Sequence, residues 1–374
     1  MGLGRLAAVK MKHILYMSRG KDIAGSQRQL LYLVDRLRNH FTPIVVCSEP
    51  GEFVNELKRR QIEVVVMSMK PWRKMRNVIG RYSDLKALEH FAGKQNIEMV
   101  HCSYLWHSPY AMRVAENLSV PVVLHIRCPL SPSQIKKYKC GQADAVIAIS
   151  RKIEKQLLSA AIPAEKVACV EDAVDTEWLK YCPARNLRQE NKITNSIVFG
   201  LVGRVCRQKR QMEFVYAAKK ILEKGYDAYF IIIGEEACDS YTGMLRQYIN
   251  EHGLTKRVLL AGRREDMPEI LSSLDVLVSL SGGSVMFEAM ACGRTVISAG
   301  FTQKEDAVHL RDGETGILLS TLEIETLASA MMRAADNSEL RKLLGSNAEN
   351  WVKSHLSVEN MVKKTQQLYE RLLK

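Results

Sequence analysis

Nine cysteines are scattered along the 374 residues, yet no two are spaced as C-x-x-C. An odd, irregular set argues against a disulfide scaffold and a zinc site, and for reduced thiols in a cytosol. Long apolar runs are missing too: none approaches the roughly 20 residues of a membrane helix. The opening MGLGRLAAVKMKHILYMS has too short an apolar stretch for a secretory signal. It also lacks the Ser or Thr at position 6 that N-myristoylation requires. Strand character begins only at His13, which points to Met11 as the start. Neither a solenoid repeat nor a low-complexity tract is present. Acid is scarce in the first half: residues 1–180 carry 28 Lys/Arg against 17 Asp/Glu, whereas 181–374 carry 26 against 24. Nearly all of the net charge of +13 therefore lies in the first half, and an anionic surface would be met there.

What remains is an ordinary globular composition, 47% hydrophobic and 25% charged, long enough for two domains with separate cores. Short apolar runs alternate with amphipathic, helix-length segments. Strands are expected in HILYMS, TPIVVCS, IEVVVMS, IEMVHCS, PVVLHIR, DAVIAIS and KVACV, then, after a polar interruption, in SIVFGLVG, AYFIIIG, RVLLAG, DVLVSL and TVISAG. Near-continuous apolar strands between helices imply parallel sheets covered on both faces. The pattern divides as a first domain over 1–175, a linker over 176–195, a second domain over 196–355, and a last helix over 356–374. That helix has no strand after it and is free to pack back on the first domain. Ligands of such sheets bind beyond the carboxyl ends of the strands.

Two stretches carry chemistry. In GLVGRVCRQKRQMEF a strand ends at Gly203, and Arg204 and Lys209 follow in the loop and first turn. Two cations beside a helix N-terminus suit a diphosphate. A solvated basic loop is the plainer reading of the run alone; a nucleic-acid patch is disfavoured because this half is nearly neutral. In SLSGGSVMFEAMACGRTVISAG, Gly282 and Gly283 permit close backbone approach, and a helix starts near Ser284. Ser284 and Glu288 share one face of it. A carboxylate there can accept paired hydrogen bonds from vicinal hydroxyls such as those of a ribose, the alternative being an exposed glutamate after a Gly-Gly turn.

GRVCRQK, FEAMACGRTVI and RDGETGILL, in that order, resemble the donor domain of family 4 retaining glycosyltransferases. AGSQRQLLYLVDRL, VHCS, PVVLHIR and the run from ADAVIAIS to EDAVD match the first half, so the resemblance covers the chain from about residue 12. It implies the GT-B fold, two Rossmann-like domains facing across a cleft, and a nucleotide-sugar donor, by analogy a UDP-sugar. Arg204 and Lys209 would hold the diphosphate and stabilise the leaving group. Gly282, Gly283, Ser284 and Val285 would offer backbone to the same phosphates, Glu288 would hold the ribose, and Arg263 would lie along the base. Gly25 and Ser26 would close over the phosphates from the first domain. No Asp-x-Asp pair occurs, so phosphate neutralisation falls to cations and dipoles; neither a metal nor another cofactor is expected.

Three positions depart from the family's pattern. Leu280 stands where the first of two paired glutamates would contact the sugar, leaving that contact to Ser281 or the glycine backbone. Arg127 replaces the histidine at the end of the fifth strand, with His125 two residues earlier on the same strand face. EDAVD replaces an Asn-Gly turn. His125 and Arg127 are candidates for catalysis or for structure in equal measure; His101 and His107 rank below them.

KPWRKMRNVIGRY places Trp72, Met75, Ile79 and Tyr82 on one helical stripe, among Lys70, Arg73, Lys74, Arg76 and Arg81. A basic segment with interfacial aromatics suits an anionic membrane surface; a core-facing stripe with solvated flanks fits the spacing equally. The expectation is a cytoplasmic, peripherally membrane-bound transferase acting on a glycan or lipid-linked acceptor in cell-surface polysaccharide or glycolipid synthesis, with no nucleic-acid partner. The alternative is a non-catalytic relative that binds a nucleotide or a partner glycosyltransferase.

Overall fold

The computed structural model describes residues 11–23, 25–72, 78–184, 186–299 and 309–374. The chain divides into two units, Met1–Ala173 with Val358–Lys374, and Val174–Ser357.

In the first unit, β1 (Lys12–Ser18), β2 (Phe41–Cys47), β3 (Glu63–Val66), β4 (Ile97–Cys102), β5 (Val122–Ile126), β6 (Ala145–Ala148) and β7 (Val167–Cys169) pair in parallel in the order β3-β2-β1-β4-β5-β6-β7. Helices α1 (Gly25–Leu37), α2 (Glu52–Arg59), α3 (Val78–Lys94), α4 (Ser108–Leu118), α5 (Pro132–Lys137) and α6 (Arg151–Ser159) connect them. The unbroken apolar character of β1 is explained by burial on both sides. Leu15 and Met17 enter one core cluster while Ile14 and Tyr16 enter the other, as a period of two demands. Helix starts are written locally. Ser131 closes a capping box with Gln134 ahead of Pro132, and Ser150 Oγ accepts from the Ile153 amide at the start of α6.

The second unit holds β8 (Ile197–Val202), β9 (Ala228–Ile233), β10 (Val258–Gly262), β11 (Val276–Ser279), β12 (Thr295–Ser298) and β13 (Ile317–Leu318), ordered β10-β9-β8-β11-β12-β13. Its helices are α7 (Asn186–Glu190), α8 (Gln211–Glu223), α9 (Asp239–Glu251), α10 (Met267–Ser273), α11 (Val285–Ala291), α12 (Ile324–Asp336) and α13 (Ser338–His355). The sequence reading has no strand at β13, which is two residues long and held to β12 by the pair Ile297–Ile317. The stretch 176–195, expected as a linker, lies in this unit: Leu179, Leu187 and Ile193 are buried in its core. Its polar letters belong to α7 and the turns around it; Leu179, Leu187 and Ile193 between them face inward, while Trp178 and Tyr181 are 43% and 45% exposed.

The last helix, α14 (Val358–Leu372), belongs to the first unit. Met361, Leu368 and Tyr369 join the cluster that contains Ile14 and Tyr16. Both sheets reverse their winding direction once, between β1 and β4 in the first unit and between β8 and β11 in the second. Crevices at the carboxyl ends of such strand pairs are where open parallel sheets bind ligands.

Candidate functional site

The reversal in the second unit brings together the two stretches singled out in the sequence, because one follows β8 and the other follows β11. After β8 the Gly203 amide donates to the Ile233 carbonyl at 2.8 Å. A Cβ on Gly234 would sit 2.1 Å from the Gly203 carbonyl oxygen, so the ends of β8 and β9 can approach this closely only with a bare backbone. The chain then makes a short turn over Arg207–Lys209, and α8 begins after Arg210, whose φ of 60° is left-handed. Gln211, fully buried, donates from Nε2 to the Arg204 carbonyl at 3.0 Å and so fixes the loop.

Arg204 is exposed, and among the described residues nothing pairs with its guanidinium. Lys209 folds back over the loop: its Cδ and Cε lie 3.3 Å from where a Cβ on Gly203 would be, and its Nζ lies 3.6 Å from where one on Gly283 would be. Gly283 has a φ of 121°. Beyond it Ser284 takes a helical conformation and α11 begins at Val285. Among the described residues the amides of Gly283, Ser284 and Val285 have no acceptor. Two cations and a fan of free N–H groups thus meet on one loop pair, a field that favours a multiply charged anion. Glu288, half-buried, lies one turn on, its amide bonded to the Ser284 carbonyl at 3.1 Å.

Leu280 is 1% exposed and packs in the main core of this unit. Arg263 is exposed and only loosely paired with Glu265, at 3.4 Å. Its neighbour Arg264 is fixed: it forks to Glu190 at 2.7 and 2.8 Å and to Asp266 at 2.9 and 2.8 Å. Those bonds raise the Arg264 guanidinium further above its usual range and hold the Asp266 carboxyl well below its own.

The first unit is built differently. Gly25 and Ser26 open α1 at the carboxyl edge of β1; Gly25 is exposed, and Ser26 Oγ donates to Gln27 Oε1 at 2.8 Å. His125, on β5, is 4% exposed. Its Nδ1 lies 3.2 Å from Nε2 of His101, whose Nδ1 bonds the Tyr369 hydroxyl on α14. Burial, with Arg127 nearby, pushes His101 down to about 3 and His125 well below its usual range, so both rings are neutral at pH 7. His125 Nε2 has no partner among the described residues. Arg127, just past β5, bonds Asp172. One residue that sequence reasoning missed also acts here. Gln29, buried on α1, gives and takes hydrogen bonds with the backbone of Ala173, at 2.8 and 2.7 Å, where the first unit's long segment ends. His107 is 5% exposed with its Nδ1 unpartnered among the described residues.

In the basic segment, Arg73, Lys74, Met75 and Arg76 lie outside the described residues. Lys70 is tied to the buried Asp84 at 3.0 Å. Trp72 is 37% exposed, edge-on to Tyr110, with the Arg81 guanidinium 5.0 Å from its ring. Ile79 and Tyr82 are 88% and 65% exposed. A core-facing stripe would have buried them. No described helix is long and apolar enough to cross a membrane, and no metal-ligand cluster of three or more His, Cys, Asp or Glu side chains occurs among the described residues.

Two family models match the chain. "Glycosyltransferase Family 4" covers residues 23–178 and "Glycosyl transferases group 1" covers 184–351. Among curated proteins, the chain is 26% identical over 391 residues to an Escherichia coli UDP-Gal:alpha-D-GlcNAc-diphosphoundecaprenol alpha-1,3-galactosyltransferase, covering 96% of each chain. It is 22% identical to the N-acetyl-alpha-D-glucosaminyl L-malate synthase of Bacillus anthracis, over 76% of this chain and 77% of that one. Among solved structures, Anabaena Alr3699/HepE in complex with UDP superposes with a TM-score of 0.85 at 21% identity, over 97% of this chain and all of that one.

Proposed function

Because the chain belongs to the family 4, group 1 glycosyltransferases, we propose that it moves a sugar, with retention and without a metal, from a UDP-sugar to a lipid-linked or glycan acceptor. The observation that carries the donor half of this reading is the Lys209 ammonium beside Gly283, with the unpaired Arg204 on the adjoining loop. The second unit binds the nucleotide. Arg204, Lys209 and the amides of Gly283, Ser284 and Val285 grip the diphosphate and stabilise the charge that grows on it as the glycosidic bond breaks. Glu288 holds the ribose and Arg263 swings along the base. With Leu280 committed to the core, Ser281 and the Gly282 backbone face the sugar.

The first unit presents the acceptor hydroxyl on the face of the sugar that the diphosphate leaves, so the new bond forms where the old one broke. The departing phosphate oxygen takes the acceptor proton. Gly25 and Ser26 close over the phosphates. Arg127 stands on the acceptor side, and His125, neutral and buried behind it, positions and does not transfer a proton. The activity of the E. coli relative, a sugar transfer from UDP-Gal to a diphosphoundecaprenol-linked sugar, supports the donor base and the acceptor class. The exposure of Ile79, Tyr82 and Trp72 and the positive charge of the first half support a peripheral seat on the cytoplasmic face of an anionic membrane.

A thermal-shift panel of nucleotide diphosphates and their sugars, run in EDTA on wild type and Arg204→Ala/Lys209→Ala, tests the donor site. Stabilisation by one UDP-sugar that the double variant loses is expected; no response to any donor would return the protein to a non-catalytic role. The anomeric configuration of the product, read by NMR, tests retention.

A further inference from the structure

A cavity of about 860 Å³ lies in the first unit, apart from the loops assigned to the nucleotide. Its lining includes His107 and Pro109 at the start of α4 and Glu116 and Val120 at and beyond its end. It therefore follows the length of that helix, about 16 Å for eleven residues. The volume is within the range of small-molecule sites, roughly 300–1,000 Å³. The walls are aromatic and aliphatic: Trp106 meets Tyr138 edge-on at 5.1 Å, and Met112 and Val120 are half-buried along the cavity.

The charges around it are unequal. Its acids are already engaged, Glu116 with Arg113 at 3.3 Å and Asp144 with the Val122 amide at 2.8 Å. Lys137 and Lys139, both exposed, form no ion pair among the described residues, and the Lys137 ammonium lies 5.9 Å from the Tyr138 ring. Lys139 holds a left-handed φ of 53°, unusual for a residue with a side chain. Inside, the unpartnered Nδ1 of the buried His107 is a polar group without a described partner on a wall of the cavity. At the other side Trp72 lines the cavity and stacks under Arg81 of α3, the helix that exposes Ile79 and Tyr82. The cavity is thus linked through Trp72 and Arg81 to the helix that carries the most exposed large hydrophobic side chains among the described residues.

We propose that this groove binds the hydrocarbon chain of an anionic, phosphate-bearing lipid, the tail along α4 and the phosphate at Lys137 and Lys139. The inference rests on the reading of the acceptor as lipid-linked, and it names the surface that would select the lipid. An apolar chain packs against the aromatic and aliphatic walls. Two unpaired lysines at the rim then distinguish a phosphate-bearing lipid from a neutral one.

The test is calorimetric titration of the full chain with geranylgeranyl diphosphate, with saturating UDP present to occupy the donor site, beside inorganic diphosphate as the control. Binding of the prenyl compound at least tenfold tighter than that of inorganic diphosphate is expected. Val120→Arg should weaken it tenfold or more. Lys137→Ala/Lys139→Ala, exposed and therefore neutral for folding, should weaken it several-fold, and UDP binding should stay unchanged in both variants. Equal affinity for the two diphosphates, or binding indifferent to both variants, overturns the groove. Loss of UDP binding in the wild type would instead overturn the donor site and leave the lipid result to stand by itself.

Discussion

The strand ends of the two units solve opposite problems. In the second unit they keep charge exposed and unpaired: Arg204 has no described partner and Lys209 is laid against a glycine loop. In the first unit they bury polarity and remove charge, with His101 and His125 neutral against Tyr369 and Arg127 bonded to Asp172. Free cations beside free amides bind an anion strongly because their bonds are not already spent on protein. A buried, hydrogen-bonded chain is rigid and contributes shape. On the proposed reading, the second unit supplies the electrostatics of the reaction and the first supplies placement.

The sharpest way to break this contrast is to remove the cations. Arg204→Ala/Lys209→Ala should cut transfer by about 10²- to 10³-fold per lost donor group. The melting temperature of the ligand-free protein should hardly move, since neither side chain has a described partner. A large loss of stability would mean that the pair is structural. Next comes Leu280→Glu, which restores the family's usual acid at a position that is 1% exposed. Burying an unpaired carboxylate there should cost roughly 3–5 kcal/mol, read as a lower denaturant midpoint. A gain in turnover with unchanged stability would show that Leu280 can turn towards the sugar.

The buried histidines give the third. His101 and His107, each held near 3, and His125, also depressed, refuse protons that the unfolded chain accepts below its ordinary value of about 6.5. Their contribution to stability is whole above that pH and is lost as pH falls towards 3, by up to about 1.4 kcal/mol per pH unit for each ring. Denaturant midpoints between pH 7 and 5 should fall accordingly, and His101→Asn/His125→Asn should flatten the slope. An unchanged slope in that variant would mean that the rings are accessible and protonate in the folded state. The smallest effect belongs to Arg263→Ala. With its only described partner at 3.4 Å on an exposed surface, its loss should change KM for the donor less than about threefold.

The architecture was legible because both levels of pattern agreed. Every strand read from apolar runs is present, and β13 was not read because two residues carry no periodicity. The Gly-Gly loop and the cations after β8 were legible as motifs, and the sheet's winding explains why distant motifs meet. The tie between His101 and Tyr369 was not legible, since it joins positions 268 residues apart through a helix whose docking no local rule specifies. Gln29 bonding Ala173, across 144 residues, is the same case. Leu280 occupies a family position that carries a glutamate, but alternation along β11 sends it inward with Val276 and Val278. The linker was read from polar composition over 176–195, but three apolar residues in that stretch bind it to the second core.

The first unit is discontinuous in the chain, and this governs the order in which the protein can be made. Residues 174–357 form an unbroken block, available to fold as soon as they leave the ribosome. The first unit, although synthesised earlier, must wait for Val358–Lys374, since Met361, Leu368 and Tyr369 complete a core that Ile14 and Tyr16 began. For the time it takes to translate roughly half the protein, one face of the β1–β4 region lacks its cover. A nascent chain in that state exposes apolar surface, and a stop codon that removes only the last helix would make the exposure permanent.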